Sequence, residues 1–541
     1  MRSLPNIINK TAFLIAVVVL SSATTGHSQK TRDALLKDVM QTFAASEKKQ
    51  LAGEEMYSYN EVVSFYQLGH YKTAWRKTQN VKHLIQSIRK APEEGLNPID
   101  YHQSVLEKLN VTVRTVEQDI AFDILLTDAF LTFARHLLSG KTDPYILYPG
   151  EWEVTRRNSD LKLLLQDALR EQSVMESLDE LKPAYAGYRN LKKALSFYRS
   201  IQAAGGWNTI PDGKTLEPGD RDERISAIRK RLSISGQLPI PVGGDSSSYD
   251  SILLKSVIDF QRQHGLKDDG VIGKFTQQAL NLTVWDYIKC ILINLERYRW
   301  LPQQLGNTYV MINVAGYTLE VWSKDSVVLS MKIIVGRPER RTPILSSSLK
   351  YLILNPTWTV PPTIFKEDVL PAVKKDISYL KHHHLRVFRY DGTEVDPTTL
   401  KWSSFSERNF PYTIRQDPGE QNSLGLIKFH FPNHHSIFLH DTNYPYLFST
   451  YYRALSSGCI RLEKPFALAK FALGEDRLIE KMEERIASGE TETMVIRNPV
   501  PIHIFYFTAF ADAQGRLQHR SDIYNWDETG WRHLNSYSTE W

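Results

Sequence analysis

"HDTNYPYLFSTYYRALSSGCIRLEKP", His440–Pro465, decides how the rest of the chain is read. It holds Cys459, one of only two cysteines in 541 residues, directly behind Ser-Ser-Gly. His440 stands nineteen residues earlier, at the end of the apolar run "HSIFLHD". A free thiol, with a pKa of about 8.5, is mostly protonated at neutral pH. It becomes a working nucleophile when an imidazole lies within hydrogen-bond reach. A histidine fixed at a strand end and a cysteine at a loop exit supply that pair, provided the loop between them folds back. Ser457 and Gly458 leave the backbone open, so the N–H groups of residues 457–459 are candidates to face a developing oxyanion. Arg461 has the planar fork that pairs with a carboxylate.

The compartment sharpens this reading. Arg2 and Lys10 precede the apolar run "AFLIAVVVL" (Ala12–Leu20), and small residues follow up to Ser28. That order reads as a secretory signal cut after Ser28, and the apolar run is well short of the roughly 20 residues that span a bilayer. No other segment reads as membrane-spanning. In an oxidising compartment two cysteines default to a bridge. Cys290, however, lies in "WDYIKCILINLERYRW", whose helical apolar spacing marks it as a small buried hydrophobe. A chain 42% hydrophobic and 23% charged is globular, and a net charge of +5 over this length does not describe a nucleic-acid binder.

Along the chain the periodicity divides into regions. Residues 29–211 read as a helical scaffold, with "AFDILLTDAFLTFARHLLSG" its most apolar helix. Residues 212–283 hold short helices around the Asp269-Gly270 turn, with Gly273 and Thr276 opening the last of them. A connecting helix spans 284–304. From Tyr309 the period changes to two: "YVMINVAGYTLEVW" reads as a hairpin and "SVVLSMKIIVG" as the next strand. Pro361-Pro362 interrupts the sheet, and residues 361–415 read as a cap inserted into a domain spanning 305–500. Residues 501–541 form a C-terminal extension with a hairpin turning at Gly515. The expected fold class is therefore multidomain α+β: a helical scaffold, a small three-helix domain and a mainly-β domain with an inserted cap.

The motif "HDT…LSSGCIRLEKP" resembles the active-site signature of the L,D-transpeptidases of the YkuD type. The Ser-Ser-Gly-Cys form, with "VGRPERRTPILSS", "LNPTWTVPPTI" and "RQDPGEQNSLG", resembles the large multidomain Gram-negative subgroup. "SVIDFQRQHGLKDDGVIGKFTQQALN" resembles a peptidoglycan-binding domain. The resemblance implies Cys459 as nucleophile, His440 as general base, and Gly458 with Cys459 as oxyanion donors. Ser457 stands where many relatives carry a second histidine. Arg461, Asp441, Tyr444, Trp358 and Asn355 are implied as substrate-side residues, with Asp441 orienting the base. It further implies a periplasmic, wall-associated enzyme that cleaves a tetrapeptide stem, releases D-Ala and forms 3→3 cross-links. Its partners are peptidoglycan stems and glycan, with carbapenem-type β-lactams as inhibitors. Water in place of the acceptor amine gives an L,D-carboxypeptidase, and a protein acceptor gives an attachment enzyme. No cofactor and no metal are expected: His382–His384 sit in the polar cap with no cysteine or carboxylate array nearby, and His434 and His435 read as turn residues of the hairpin that also carries His430 and His440.

Overall fold

The alternation in "YVMINVAGYTLEVW" becomes two antiparallel strands whose inward residues Val310, Ile312, Leu319 and Val321 are fully buried. The computed structural model that contains them describes residues 31–45, 49–111, 113–238, 247–512 and 514–535. The proposed signal sequence, 1–28, lies outside those residues. Two units emerge: Met1–Lys141 with Arg157–Ala184 and Leu534–Trp541, and Thr142–Arg156 with Tyr185–His533. No helix of the described residues is long and apolar enough to cross a membrane.

The first unit is helical. Its centre is α1 (Val116–Ser139), started by a capping box in which Thr115 and Gln118 bond each other's backbone. Nearly every face of α1 is buried, including two aspartates. Asp123 accepts from the Ala74 and Trp75 amides and from the Tyr66 hydroxyl. Asp128 accepts from the Ser58 amide and bonds the His102 ring. Buried carboxylates with their lone pairs satisfied fix the register of the surrounding helices.

The second unit is built on one sheet. In chain order its strands are β1 (Trp152–Glu153), β2 (Thr308–Asn313), β3 (Thr318–Ser323), β4 (Ser326–Gly336), β5 (Ile344–Leu354), β6 (Ile427–His430), β7 (Leu439–His440), β8 (Ala454–Ser456), β9 (Ile460–Leu462) and β10 (Glu492–Phe505). They are ordered β6-β7-β9-β4-β3-β2-β10-β5, and β5 pairs β6 again, so the sheet closes on itself. β1 joins β5 and β8 joins β4, both in parallel. Side chains alternating inward fill the ring; Leu319, Ile333, Leu352, Phe429, Leu439 and Ile460 are all fully buried.

Residues 142–156 and 185–211 fall in the second unit. β1 belongs to the main sheet, and α2 (Ala186–Ala203) packs on the connecting helix α6 (Val284–Arg299), where Tyr198 stacks on Tyr287 with ring centroids 4.8 Å apart. The sheet also does not end at residue 500. β10 runs on to Phe505, and Ile502–Phe505 pair with β2; Pro499 falls where the β10–β5 register shifts, and Pro501 pairs with Ser348 beyond it.

Between α2 and α6 lie α3 (Arg224–Ile234), α4 (Ser251–Gln263) and α5 (Lys274–Leu280), sharing a core of Ile225, Ile228, Leu253, Val257, Phe260 and Leu280. Gln261 holds the Asp269-Gly270 turn, accepting from the Gly270 amide and donating to the Val271 carbonyl and the Thr276 hydroxyl. Gly270 has φ +74°, and a Cβ there would lie 2.2 Å from Leu254.

The cap has a core of its own, with Val360, Phe365, Val369, Leu380, Val387, Trp402 and Ile414 buried together. Short helices between Pro362 and His382 lead into a four-stranded sheet containing Trp358–Thr359, Arg386–Phe388, Glu394–Val395 and Thr413–Gln416. Its polar composition belongs to the outer surface.

Candidate active site

Strands β6, β7 and β9 lie side by side. Lys428 pairs with His440, and His440 with Arg461, so three cationic or basic residues stand in register across three strands. In-register side chains leave the same face of a sheet, and Cys459, two residues before Arg461, opens on that face as well. His440, Cys459, Arg461, Ser457 and Gly458 line one cavity of about 770 Å³, bounded on the far side by cap residues including Trp358, Ile364, Asp368 and Tyr379. Tyr444 lines it too.

The imidazole is held by backbone. His440 is buried, and its Nδ1 donates to the Asp441 carbonyl over 2.6 Å. A carbonyl accepts only, so the proton sits on Nδ1 and Nε2 carries the lone pair. Burial, then the Arg461 charge, push the imidazole pKa down to about 3, against that hydrogen bond. The Asp441 carboxylate does not orient the ring as expected. It turns back to accept from the Leu426 amide at 2.9 Å, under a Gly425 whose Cβ would lie 2.3 Å from it.

The thiol is neutral as well. Burial pushes Cys459 up to about 11, opposed by a hydrogen bond from the Phe438 backbone and by the charges of Lys428 and Arg461. Lys428 stands with its ammonium 3.9 Å from the Phe438 ring centroid. Cys459 and Cys290 are both free thiols. Cys290 sits buried on α6 against Thr508 and Asn294.

A turn that sequence reading passed over shapes the thiol loop. The segment after β4, Gly336–Thr342, folds tightly against it. Thr342 donates its hydroxyl to the Gly458 carbonyl and accepts from the Gly336 amide. Arg337 donates its amide to the Ser456 carbonyl, and Tyr524 donates to the Gly336 carbonyl. A Cβ on Gly336 would lie 2.2 Å from the Arg340 carbonyl oxygen, so only glycine allows this approach. Inside the loop, the Ser456 hydroxyl donates to the Cys459 carbonyl and accepts from the Gly458 amide. Gly458 is therefore not the oxyanion donor expected of it. Its N–H is occupied, and its part is conformational, at φ +110°. The amides of Ser457 and Cys459 make no hydrogen bond to a described residue.

Ser457 accepts a hydrogen bond from Arg340 at 2.8 Å. Arg461 faces the cavity without a carboxylate partner among the described residues, and its Nε is buried with no hydrogen bond. Asn355 is elsewhere. Its amide donates to the Arg485 and Glu490 carbonyls, and it does not line the cavity. The cause is its left-handed backbone, φ +44°, which turns the side chain toward the segment after the helix Asp476–Ser488. Among the described residues no group of three or more His, Cys, Asp or Glu is placed to hold a metal ion.

Residues 307–502 match the family described as "L,D-transpeptidase catalytic domain". Residues 221–280 match the family described as "Putative peptidoglycan binding domain", and residues 60–195 the "Scaffold domain". The chain thus carries an L,D-transpeptidase catalytic domain and a peptidoglycan-binding domain. A curated relative from Haemophilus influenzae, named "Putative L,D-transpeptidase", is 34% identical over 252 residues, 46% of this chain and 50% of the relative. The chain spans about half the length of that relative. Solved L,D-transpeptidase structures from Xylanimonas cellulosilytica (14% identity, 55% of this chain and 99% of that one, TM-score 0.17) and Stackebrandtia nassauensis (11%, 54% and 94%, 0.22) are also similar. Those scores are too low to transfer any detail.

Proposed function

We propose that the protein is a periplasmic cysteine L,D-transpeptidase that forms 3→3 cross-links between peptidoglycan stems, with Cys459 as nucleophile and His440 as base. The observation that carries this reading is the joint placement of the Cys459 thiol, the Nδ1-protonated His440 ring and the unpaired Arg461 guanidinium in one capped cavity.

The steps follow from a neutral pair. Sulfur attacks the carbonyl carbon of the third stem residue as its proton passes to His440 Nε2. The tetrahedral oxyanion takes the unbonded amide of Cys459. The imidazolium then gives the proton to the departing D-Ala nitrogen, the C–N bond breaks and a thioester remains. A side-chain amine of a second stem attacks the thioester, loses a proton to His440 and releases the thiol. Arg461 holds a donor carboxylate, and the cap keeps water from the thioester.

The test is muropeptide analysis after incubating the mature protein with tetrapeptide-bearing wall material. Dimers linked 3→3, absent with Cys459→Ala, support the reading, as does a carbapenem adduct located on Cys459. Tripeptides alone assign the site to a carboxypeptidase. An adduct that survives in Cys459→Ala overturns the assignment of the nucleophile.

A further inference from the structure

Arg340 joins the cap to the Ser457 hydroxyl, beside Arg337, whose amide donates to the Ser456 carbonyl and whose guanidinium donates to Asp368 at 3.4 Å. Arg340, at the tip of the Gly336–Thr342 turn, is 8% exposed and uses all five of its N–H donors. Nε and Nη2 reach Glu367 Oε2 at 2.9 and 2.5 Å, and Nη1 and Nη2 reach Asp368 at 2.6 and 3.1 Å. The remaining Nη1 hydrogen goes to the Ser457 hydroxyl at 2.8 Å. Glu367 and Asp368 lie in the cap, in the single turn of π-helix Phe365–Val369. Phe365 and Val369 of that turn are buried in the cap core, while the two carboxylates stay 48% and 33% exposed and point to Arg340. A π-turn inside a helical run is costly and recurs at functional positions.

Ser457 adjoins Gly458, whose carbonyl and amide are already tied to Thr342 and Ser456. The 457–459 backbone is therefore held by Thr342 on the Gly458 carbonyl, by Ser456 on the Gly458 amide and the Cys459 carbonyl, and, through Arg340 on Ser457, by a contact shared with the cap. A histidine at 457 would lack the small hydroxyl acceptor that Arg340 meets.

We propose that Arg340 is a positioning residue that makes cap docking and the set of the Ser457–Cys459 backbone one event: with Glu367 and Asp368 seated, the fork holds Ser457, and when the cap lifts, the loop loses that hold. The role in turnover rests on the transpeptidase reading; the coupling itself does not.

The experiment compares Glu367→Gln/Asp368→Asn, Ser457→Ala, their combination and Arg340→Lys, all in the full chain. Amide hydrogen exchange is followed in the peptide covering residues 455–460. The acid double variant, which touches no residue of that peptide, is expected to speed its exchange roughly tenfold. Combined with Ser457→Ala it should add nothing further, because the link is already cut. Arg340→Lys keeps the charge but loses the fork and should behave like the acid variant. In turnover of a tetrapeptide donor, the acid variant and Ser457→Ala should each lower kcat about tenfold with KM within about twofold, and should not multiply. Unchanged exchange at 455–460 while residues 365–369 loosen overturns the proposal, as do fully multiplicative effects. A wild-type protein without transpeptidase activity would overturn the functional reading and leave the exchange result to judge the clip.

Discussion

His440 Nδ1 donates to the main-chain oxygen of Asp441, not to a carboxylate. The imidazole is oriented by its own neighbour's backbone, so no side-chain substitution at that neighbour can remove the orienting group.

Asp441→Asn should therefore leave kcat within about threefold of wild type, because an amide oxygen still accepts from Leu426. His440→Ala should cost about 10²–10⁴ in kcat, the usual worth of a positioned base. Steady-state donor cleavage measures both. An Asn variant as inactive as His440→Ala would place the carboxylate in the reaction.

The resting pair is thiol and imidazole, not thiolate and imidazolium. With Cys459 up to about 11 and His440 down to about 3, thiolate absorbance should be absent at neutral pH and should appear only well above the ordinary thiol value of about 8.5. The sign for stability follows. A raised thiol pKa adds stability that is complete below about 8.5 and lost as pH climbs to about 11. A depressed imidazole pKa adds stability that is complete above about 6.5 and lost as pH falls to about 3. Denaturation curves against pH should show Cys459→Ala flattening the alkaline decline and His440→Ala the acid one.

Arg461→Ala removes a cation without a carboxylate partner. The melting temperature should hold or rise, since no ion pair is broken. KM for a carboxylate-bearing donor should rise at least about tenfold, the lower end of what a charged hydrogen bond contributes. Arg461→Lys should recover only part of that. Calorimetry and donor kinetics separate the two effects.

Gly336→Ala should damage the site more than Gly458→Ala, although only Gly458 lies in the motif. A Cβ at 336 would meet backbone at 2.2 Å, whereas one at 458 would meet its nearest backbone atom at 3.4 Å and carry only the strain of φ +110°. That strain costs about 1–3 kcal/mol. Melting temperature and the rate of carbapenem adduct formation by intact mass should both fall in the order wild type, Gly458→Ala, Gly336→Ala.

That His440 and Cys459 line one cavity was legible because both residues sit in one contiguous stretch. The hairpin after Tyr309 and the three short helices were legible for the same local reason: period and turn residues are written within a dozen positions. What surrounds the thiol was not. Gly336, Arg340, Thr342 and Tyr524 reach the loop from strands and segments far off in sequence, and no periodicity encodes a non-local buttress. The Phe438 backbone bond to sulfur carries no side-chain signature at all. Asn355 misled because "LNPTW" reads as a motif, whereas its backbone is left-handed and its amide serves a neighbouring carbonyl pair. The domain end expected at residue 500 falls inside a strand, Glu492–Phe505, whose register against β5 shifts between Val495 and Val500.

The closed ring has a consequence for how the protein is made. β10 lies between β2 and β5 in the sheet, and Ile502 pairs with Val310 across nearly two hundred residues. Until residues 492–505 exist, β2 and β5 present unsatisfied edges and the ring stands open. Closure of the ring therefore waits on residues 492–505. A chain in that waiting state is slow to condense and prone to pair with the wrong neighbour.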